Sequence, residues 1–265
     1  MNERVRTRAK FFFEGERKFF LKGVTYGTFA PDADNYYVGP LEKAVIDLGM
    51  MRAIGINTVR IYHAPPRWFL DLAQEHGIRV MVTLWWGQNV DFLSSSKRRR
   101  EIFDKVRHDV KSNAGHPALM GYLVANEIST NMVRWYGVNK VTQFVETMIN
   151  VGRDEDDAVL YSYASYPPTE YLLPSNMDFY TFNVYLHHQE EFDRYLARLQ
   201  NLAEDRPLIM GEFGMDTIRH PEEEQAEMLR WHVESVVRGG LAGTFLYTWT
   251  DEWFVNNQDI TDWAF

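Results

Sequence analysis

The chain has 265 residues, 45% of them apolar, a formal net charge of -9 and no cysteine. That length suits one large core and is common for a barrel, so a single domain over residues 1–265 is expected. An acidic balance without a basic stripe argues against a nucleic-acid partner, no apolar run spans a bilayer, and the absence of thiols rules out disulfides and thiolate metal sites, which fits a reducing, cytoplasmic setting.

The N-terminus is basic and contains Phe11-Phe12-Phe13, but Glu14, Glu16, Arg17 and Lys18 interrupt it before a secretory apolar region can form. Phe11 to Phe13 and Lys18 to Leu21 flank Glu14-Gly15-Glu16, which predicts a β-hairpin covering the first strand. Eight buried-strand signals follow: Phe20 to Thr25, Asn57 to Tyr62, Arg79 to Leu84, Leu119 to Ala125, Val159 to Tyr163, Phe179 to Val184, Leu208 to Met210 and Thr244 to Thr248. Between them, helical spacing of apolar positions predicts helices over Leu41 to Ile54, Pro66 to His76, Lys97 to Asn113, Met132 to Gly152, Glu190 to Ala203 and Pro221 to Arg238.

The helix ends agree with this segmentation. Gly55 and Gly77 close the first two helices, and Ser94-Ser95-Ser96 caps the third, whose Lys97-Arg98-Arg99-Arg100 reads as a solvated basic face. Pro221 stands at a first helical position ahead of Glu222-Glu223-Glu224, where the helix dipole favours acids. Asp154 to Asp157 reads as a solvated acidic loop. Strand-helix alternation predicts an α/β fold with parallel pairing, and eight units predict closure into a (β/α)8 TIM barrel behind an N-terminal β-hairpin. The missing dinucleotide glycine fingerprint disfavours an open doubly wound sheet. Residues 250–265 look like loop, which predicts an incomplete eighth helix and is compatible with a domain excised from a longer polypeptide.

Asn126-Glu127 and Gly211-Glu212-Phe213-Gly214 each follow a short apolar run, Leu119 to Ala125 and Pro207 to Met210. Two carboxylates at the ends of parallel strands in one closed sheet open onto the same face, where they can divide into proton donor and nucleophile. Glycosidic bond cleavage needs such a pair. Arg60, Tyr185 and Trp249 also fall at strand ends, and a guanidinium closing an apolar strand needs a partner, which Glu212 would supply.

At these residues the chain resembles the clan of retaining (β/α)8 glycosidases, most closely the catalytic barrel of the family 2 β-glycosidases, with family 5 further away. The resemblance runs from Phe20-Leu21-Lys22-Gly23-Val24 through Val59-Arg60-Ile61-Tyr62-His63-Ala64-Pro65, Asn126-Glu127 and Gly211-Glu212-Phe213-Gly214 to Trp249. It implies that Glu127 is the acid/base, that Glu212 is the nucleophile, and that Asn126 holds the sugar 2-hydroxyl. It further implies that Arg60 and Tyr185 orient the nucleophile and that His63 and Trp249 line the sugar subsite. Family 2 enzymes usually carry β-sandwich domains ahead of the barrel, and the first twenty residues here have no room for one.

Trp85, Trp86 and Trp253 fall near strand ends, where indole faces can stack on sugar C–H faces or simply pack. Asp251 and Glu252 follow the last strand as contacts for sugar hydroxyls or as a solvated loop. No pattern resembling the carboxylate-recognition residues of β-glucuronidases is present, so a neutral, gluco-configured β-glycoside is the expected substrate. His187-His188 with His63 lack zinc-type spacing, and neither a metal nor any other cofactor is expected. Three alternatives stay open: a β-glucan transglycosylase, a non-catalytic glycan-binding barrel of a larger protein, and a metal-dependent barrel enzyme.

Overall fold

A strand covered on both faces must be apolar along its length, and that requirement organises the computed structural model of the chain, which describes residues 3–88, 91–251, 253–255 and 258–260. Three short strands come first, β1 (Val5–Arg8), β2 (Phe11–Glu14) and β3 (Arg17–Phe19), in an antiparallel meander. The expected hairpin is therefore one strand larger. β1 escapes a sequence reading because Val-Arg-Thr-Arg buries only its first side chain.

Eight strands then pair in parallel: β4 (Leu21–Thr25), β5 (Thr58–Ile61), β6 (Arg79–Thr83), β7 (Leu119–Asn126), β8 (Leu160–Ser165), β9 (Tyr180–Asn183), β10 (Leu208–Glu212) and β11 (Gly243–Leu246). β11 pairs with β4, and the barrel is closed. Helices α1 (Leu41–Ala53), α2 (Arg67–Glu75), α3 (Ser96–Asn113), α4 (Thr130–Tyr136), α5 (Val138–Arg153), α6 (Gln189–Ala203) and α7 (Glu222–Arg238) lie in the connections. The β8–β9 connection holds only a 3-10 turn, Pro167–Thr169. Among the described residues no helix follows β11, and none is long and apolar enough to cross a membrane. A short antiparallel pair, β12 (Trp253–Val255) and β13 (Gln258–Ile260), follows instead.

Two apolar layers hold this frame. Inside the barrel, Leu21, Met81, Met120, Leu123, Leu160, Ile209 and Phe245 pack together, and Val5 and Phe12 of the meander join them. The meander thus seals the N-terminal end of the barrel, with Phe12 edge-on to Phe179 at 5.4 Å. Arg79, at the start of β6, bonds the Glu14 carboxylate and the carbonyls of Glu3 and Pro117, which fastens the seal. Between barrel and helices lies a larger cluster that includes Val59, Val80, Val82, Phe69, Val145 and Ile149.

Helix ends follow the local chemistry. Gly55 N–H bonds the Arg52 carbonyl at 3.1 Å and Ile56 N–H the Met51 carbonyl at 3.0 Å, the paired bonds of a Schellman stop. Ser95 accepts the Arg98 N–H and starts α3. Three expectations need correction. The single helix over Met132 to Gly152 is two, broken at Gly137, whose φ of 87° is open to glycine but costly for other residues. Pro221 precedes α7 as its N-cap instead of occupying the first turn. Asp156 is buried, not solvated, because its carboxylate accepts the backbone N–H groups of Gly115 and Ala158.

Candidate active site

In a closed parallel barrel every strand delivers its C-terminal residue to one face. Arg60 from β5, Thr83 from β6, Asn126 and Glu127 at the end of β7, Asn183 from β9 and Glu212 from β10 meet there. Both carboxylate strands slip register just before their acids, β7 between Leu123 and Asn126 and β10 between Met210 and Glu212. Such a slip re-aims the side chain that follows it. Glu127 also has a left-handed backbone, φ 48°, of the kind found where function holds a residue in a sparsely populated conformation.

Arg60 is fully buried and organises the floor. Its Nε donates to Thr83 Oγ1 at 3.0 Å, its Nη1 to the Gly211 carbonyl at 2.9 Å, and its Nη2 to Asn126 Oδ1 at 2.7 Å. Nη1 also lies 3.0 Å from Glu212 Oε1, the partner expected for a charge at the end of an apolar strand. Glu212 is itself buried among donors. Its Oε1 accepts the Tyr62 hydroxyl at 2.6 Å and Asn183 Nδ2 at 2.9 Å, while Oε2 accepts the Tyr185 hydroxyl at 3.1 Å. Burial first, with the Glu212 charge adding, pushes the phenols of Tyr62 and Tyr185 far up, so both stay protonated donors.

Glu127 stands opposite and is only partly buried. Burial first, then the negative charge of Glu212, raises its carboxyl above the usual range, against the opposing pull of the Asn183 amide and Arg60. Asn183 ties the pair together: one amide nitrogen is 2.8 Å from Glu127 Oε1 and 2.9 Å from Glu212 Oε1. Those two oxygens are therefore no more than about 6 Å apart, which is compatible with the 5–5.5 Å typical between retaining carboxyl groups and short of the 6.5–9.5 Å of inverting ones.

The glycine of Gly211-Glu212 has a steric cause. A Cβ at Gly211 would sit 2.6 Å from Asn183 Oδ1 and from Thr181 Cγ2, and 3.2 Å from Arg60 Nη1. Gly211→Ala is therefore expected to fold yet lose ~10²-fold in kcat/KM, because it displaces Asn183 and Arg60 and with them both acids. Circular dichroism and Tm beside the rate constants check this; unchanged activity would show that the site tolerates the displacement.

The remaining sequence candidates divide. Arg60, Asn126 and Tyr185 are in the network with both glutamates. His63 stacks on Tyr37 at 3.9 Å and 16° and faces Trp85 at 6.4 Å. Burial, helped by Lys105, lowers its pKa to about 4, so the ring is neutral at pH 7, and its buried Nδ1 has no hydrogen-bond partner among the described residues. Trp85 is 42% exposed beside it. Trp249 is partly buried against the core, with its backbone N–H on the Thr25 carbonyl at 2.9 Å.

Trp86 is corrected from substrate platform to core: it is 5% exposed, donates Nε1–H to the Val124 carbonyl at 2.7 Å and packs edge-on to Phe92 and Phe144. The side chain of Trp253 and all of Glu252 lie outside the described residues, and Asp251 is exposed. Among the described residues no three His, Cys, Asp or Glu side chains gather as a metal site, and His187 packs edge-on against His220.

Sequence reasoning missed Asn183, Tyr62, Thr83 and Tyr247. Asn183 closes β9 just as Arg60 and Asn126 mark the ends of theirs, so the same strand-end rule finds it. Tyr62 stands one residue past β5 inside a motif already singled out. Tyr247 lies edge-on to Tyr185 at 6.4 Å, and burial followed by the charge of Glu212 raises its phenol.

Known proteins share this barrel. Residues 5–263 match the family model described as glycosyl hydrolases family 2, TIM barrel domain. The 1,3-beta-glucanosyltransferase gas4 of Schizosaccharomyces pombe is 26% identical over 238 residues, covering 78% of this chain and 50% of that protein. The 1,3-beta-glucanosyltransferase PGA5 of Candida albicans is 28% identical over 140 residues, 44% of this chain and 21% of its own. The chain thus spans half or less of these relatives. Among solved structures, the β-glucuronidase of Ruminococcus gnavus superposes with a TM-score of 0.80 at 15% identity, over 99% of this chain and 49% of that one. A β-galacturonidase from Eisenbergiella tayi gives 0.73 at 21%, over 92% of this chain and 46% of its own. At such identities the likeness is one of fold.

Proposed function

Because the chain belongs to glycosyl hydrolase family 2, through that family's TIM barrel domain, we propose that it is a retaining β-glycosidase with Glu212 as nucleophile and Glu127 as acid/base. The observation that carries this reading is the Asn183 amide nitrogen, which bonds both carboxylates and so keeps them at a spacing that suits direct attack and leaves little room for an intervening water. In the first step an oxygen of Glu212 attacks the anomeric carbon while Glu127 gives its proton to the glycosidic oxygen. The raised pKa of Glu127 keeps that proton available. In the second step Glu127, now a carboxylate, takes a proton from water as the water oxygen displaces Glu212. Once Glu212 is esterified its negative charge is gone, so the pKa of Glu127 falls and Glu127 is ionised when a base is needed.

Asn126 supports the sugar. Its Oδ1 is fixed by Arg60 and Asn183, which turns the amide nitrogen to the opposite edge, toward a hydroxyl next to the anomeric centre. A neutral gluco-configured β-glycoside is the proposed substrate: Arg60 is committed to Glu212, Asn126, Thr83 and Gly211, and Trp85 offers an exposed face for stacking. The fission yeast relative, by name a glucanosyltransferase, favours a second reading in which a sugar hydroxyl replaces water in the second step.

A panel of aryl β-glycosides (glucoside, galactoside, mannoside, fucoside, xyloside and glucuronide) tests the proposal with wild type, Glu127→Gln and Glu212→Gln. Release of nitrophenol by wild type and its loss in both variants supports a glycosidase and names the sugar. Longer products on adding oligosaccharide acceptors favour transfer. Activity equal in all three proteins removes both glutamates from the mechanism.

A further inference from the structure

The side of Glu127 away from Arg60 is built by β8, and its residues continue the alternation of the barrel. Leu160 and Ala164 point into the barrel core, and Tyr161 and Tyr163 point outward into the helix layer. Tyr166, two residues beyond Ala164 with extended backbone, stands one layer higher on the inward side, at the rim. Glu127 N–H bonds the Ala164 carbonyl at 2.8 Å, which places the acid/base beside that rim position.

The rim here is rigid and aromatic. Pro167-Pro168 opens the 3-10 turn, Thr169 N–H bonds the Tyr166 carbonyl at 3.0 Å, and Leu172 N–H bonds the Thr169 carbonyl at 2.9 Å. Arg198 and Tyr195 grip the Glu170 carboxylate from α6. Tyr166 is partly buried and Tyr171 is 48% exposed. Burial raises the Tyr166 phenol, a hydrogen bond from the Thr130 backbone N–H opposes this, and the charges of Glu127 and Tyr171 add to the rise. His63 and Trp85 lie toward β5 and β6, on the other side of the acid/base.

We propose that Tyr166, with Tyr171 beside it, is the platform for the sugar that leaves from, or is added to, the glycosyl group held between Glu212 and Glu127. The proposal rests on the catalytic reading of those two glutamates. The acid/base protonates the oxygen of the departing sugar, so that sugar lies on its outer side. An acceptor enters by the same path: its hydroxyl oxygen bonds the anomeric carbon, the bond from that carbon to Glu212 breaks, and the hydroxyl proton passes to Glu127. A flat phenol face beside Glu127 suits the C–H face of a pyranose, and a fixed turn holds it there before the sugar arrives.

The test compares two probes bearing the sugar identified by the aryl panel: its β-glycosyl fluoride, whose leaving group is too small to reach the platform, and its β-linked disaccharide. The disaccharide is also supplied as acceptor to the fluoride. Tyr166→Ala is expected to lower disaccharide kcat/KM and acceptor-dependent transfer roughly tenfold more than it lowers fluoride turnover. Tyr166→Phe, which keeps the ring but not the hydroxyl at Thr130, is expected to keep the wild-type ratio. Tyr171→Ala, at an exposed position, is expected to move the ratio the same way and serves if Tyr166→Ala does not fold. Equal losses on both probes, or a Phe variant that behaves like Ala, would mean that Tyr166 only holds the Glu127 loop and would overturn the platform. Failure of wild type to turn over any fluoride would instead overturn the catalytic reading.

Discussion

Glu212→Ala is expected to lower turnover of an activated aryl β-glycoside by at least ~10⁴-fold, the scale of loss when a covalent mechanism is deprived of its nucleophile. Added azide is expected to restore part of the rate and to yield an α-glycosyl azide. The vacated space keeps its donors: the Tyr62 and Tyr185 hydroxyls, the Asn183 amide and the Arg60 guanidinium all point to where the carboxylate was. A small anion satisfies them and attacks from the same face, which inverts the anomeric centre once. Removing Glu212 also leaves Arg60 without its closest counter-charge, and breaking a buried pair in this way costs about 3–5 kcal/mol. Tm should therefore fall in the variant and recover in part with azide. A β-glycosyl azide, or a rate loss explained by unfolding at the assay temperature, would remove Glu212 from the nucleophile's role.

Much of the frame behind that prediction is legible in the sequence, for a physical reason. Strands such as Val80–Val82 and Leu119–Ala125 are covered by barrel core on one side and helices on the other, so they appear as unbroken apolar runs. Parallel closure then brings residues far apart in the chain, Arg60 and Glu212 among them, to one rim with no further information needed. What hides is what depends on register. Trp85 and Trp86 are adjacent and chemically identical, yet one is exposed and the other carries its N–H into the core. Only the path of the chain past β6 decides which. Asn183 looks like a strand-end polar residue, but its contact with both acids needs the slips in β7 and β10, and single-residue slips leave no mark in the pattern of apolar positions. The break at Gly137 and the extra strand β1 are hidden more simply, since each turns on one short segment whose composition fits two structures.

The acid/base assignment gives the second large effect, and it depends on the leaving group. Glu127→Ala is expected to lose ~10²–10⁴-fold on substrates whose leaving oxygen must be protonated, such as a disaccharide. On a dinitrophenyl glycoside the first step needs no proton, so the loss there should lie almost wholly in the second step, and azide, which needs no base, should raise turnover and give a β-glycosyl azide. The opposite products from the Glu212 and Glu127 variants distinguish the two acids; exchanged products would reverse the assignment. The pH dependence follows from the raised pKa of Glu127, caused first by burial and then by Glu212. The alkaline limb of wild-type kcat/KM should lie above an ordinary glutamate value, and NMR titration of Glu127 in Glu212→Gln should give a lower pKa than in wild type, because a neutral neighbour no longer opposes its ionisation. Stability carries the same sign. A carboxyl with a raised folded-state pKa is penalised only once ionised, so the penalty is absent below the unfolded pKa and complete above the folded one. Glu127→Gln should therefore have a higher Tm than wild type at pH 7 and an equal one at pH 4, whereas a Tm difference independent of pH would mean that the folded state does not raise the pKa of Glu127.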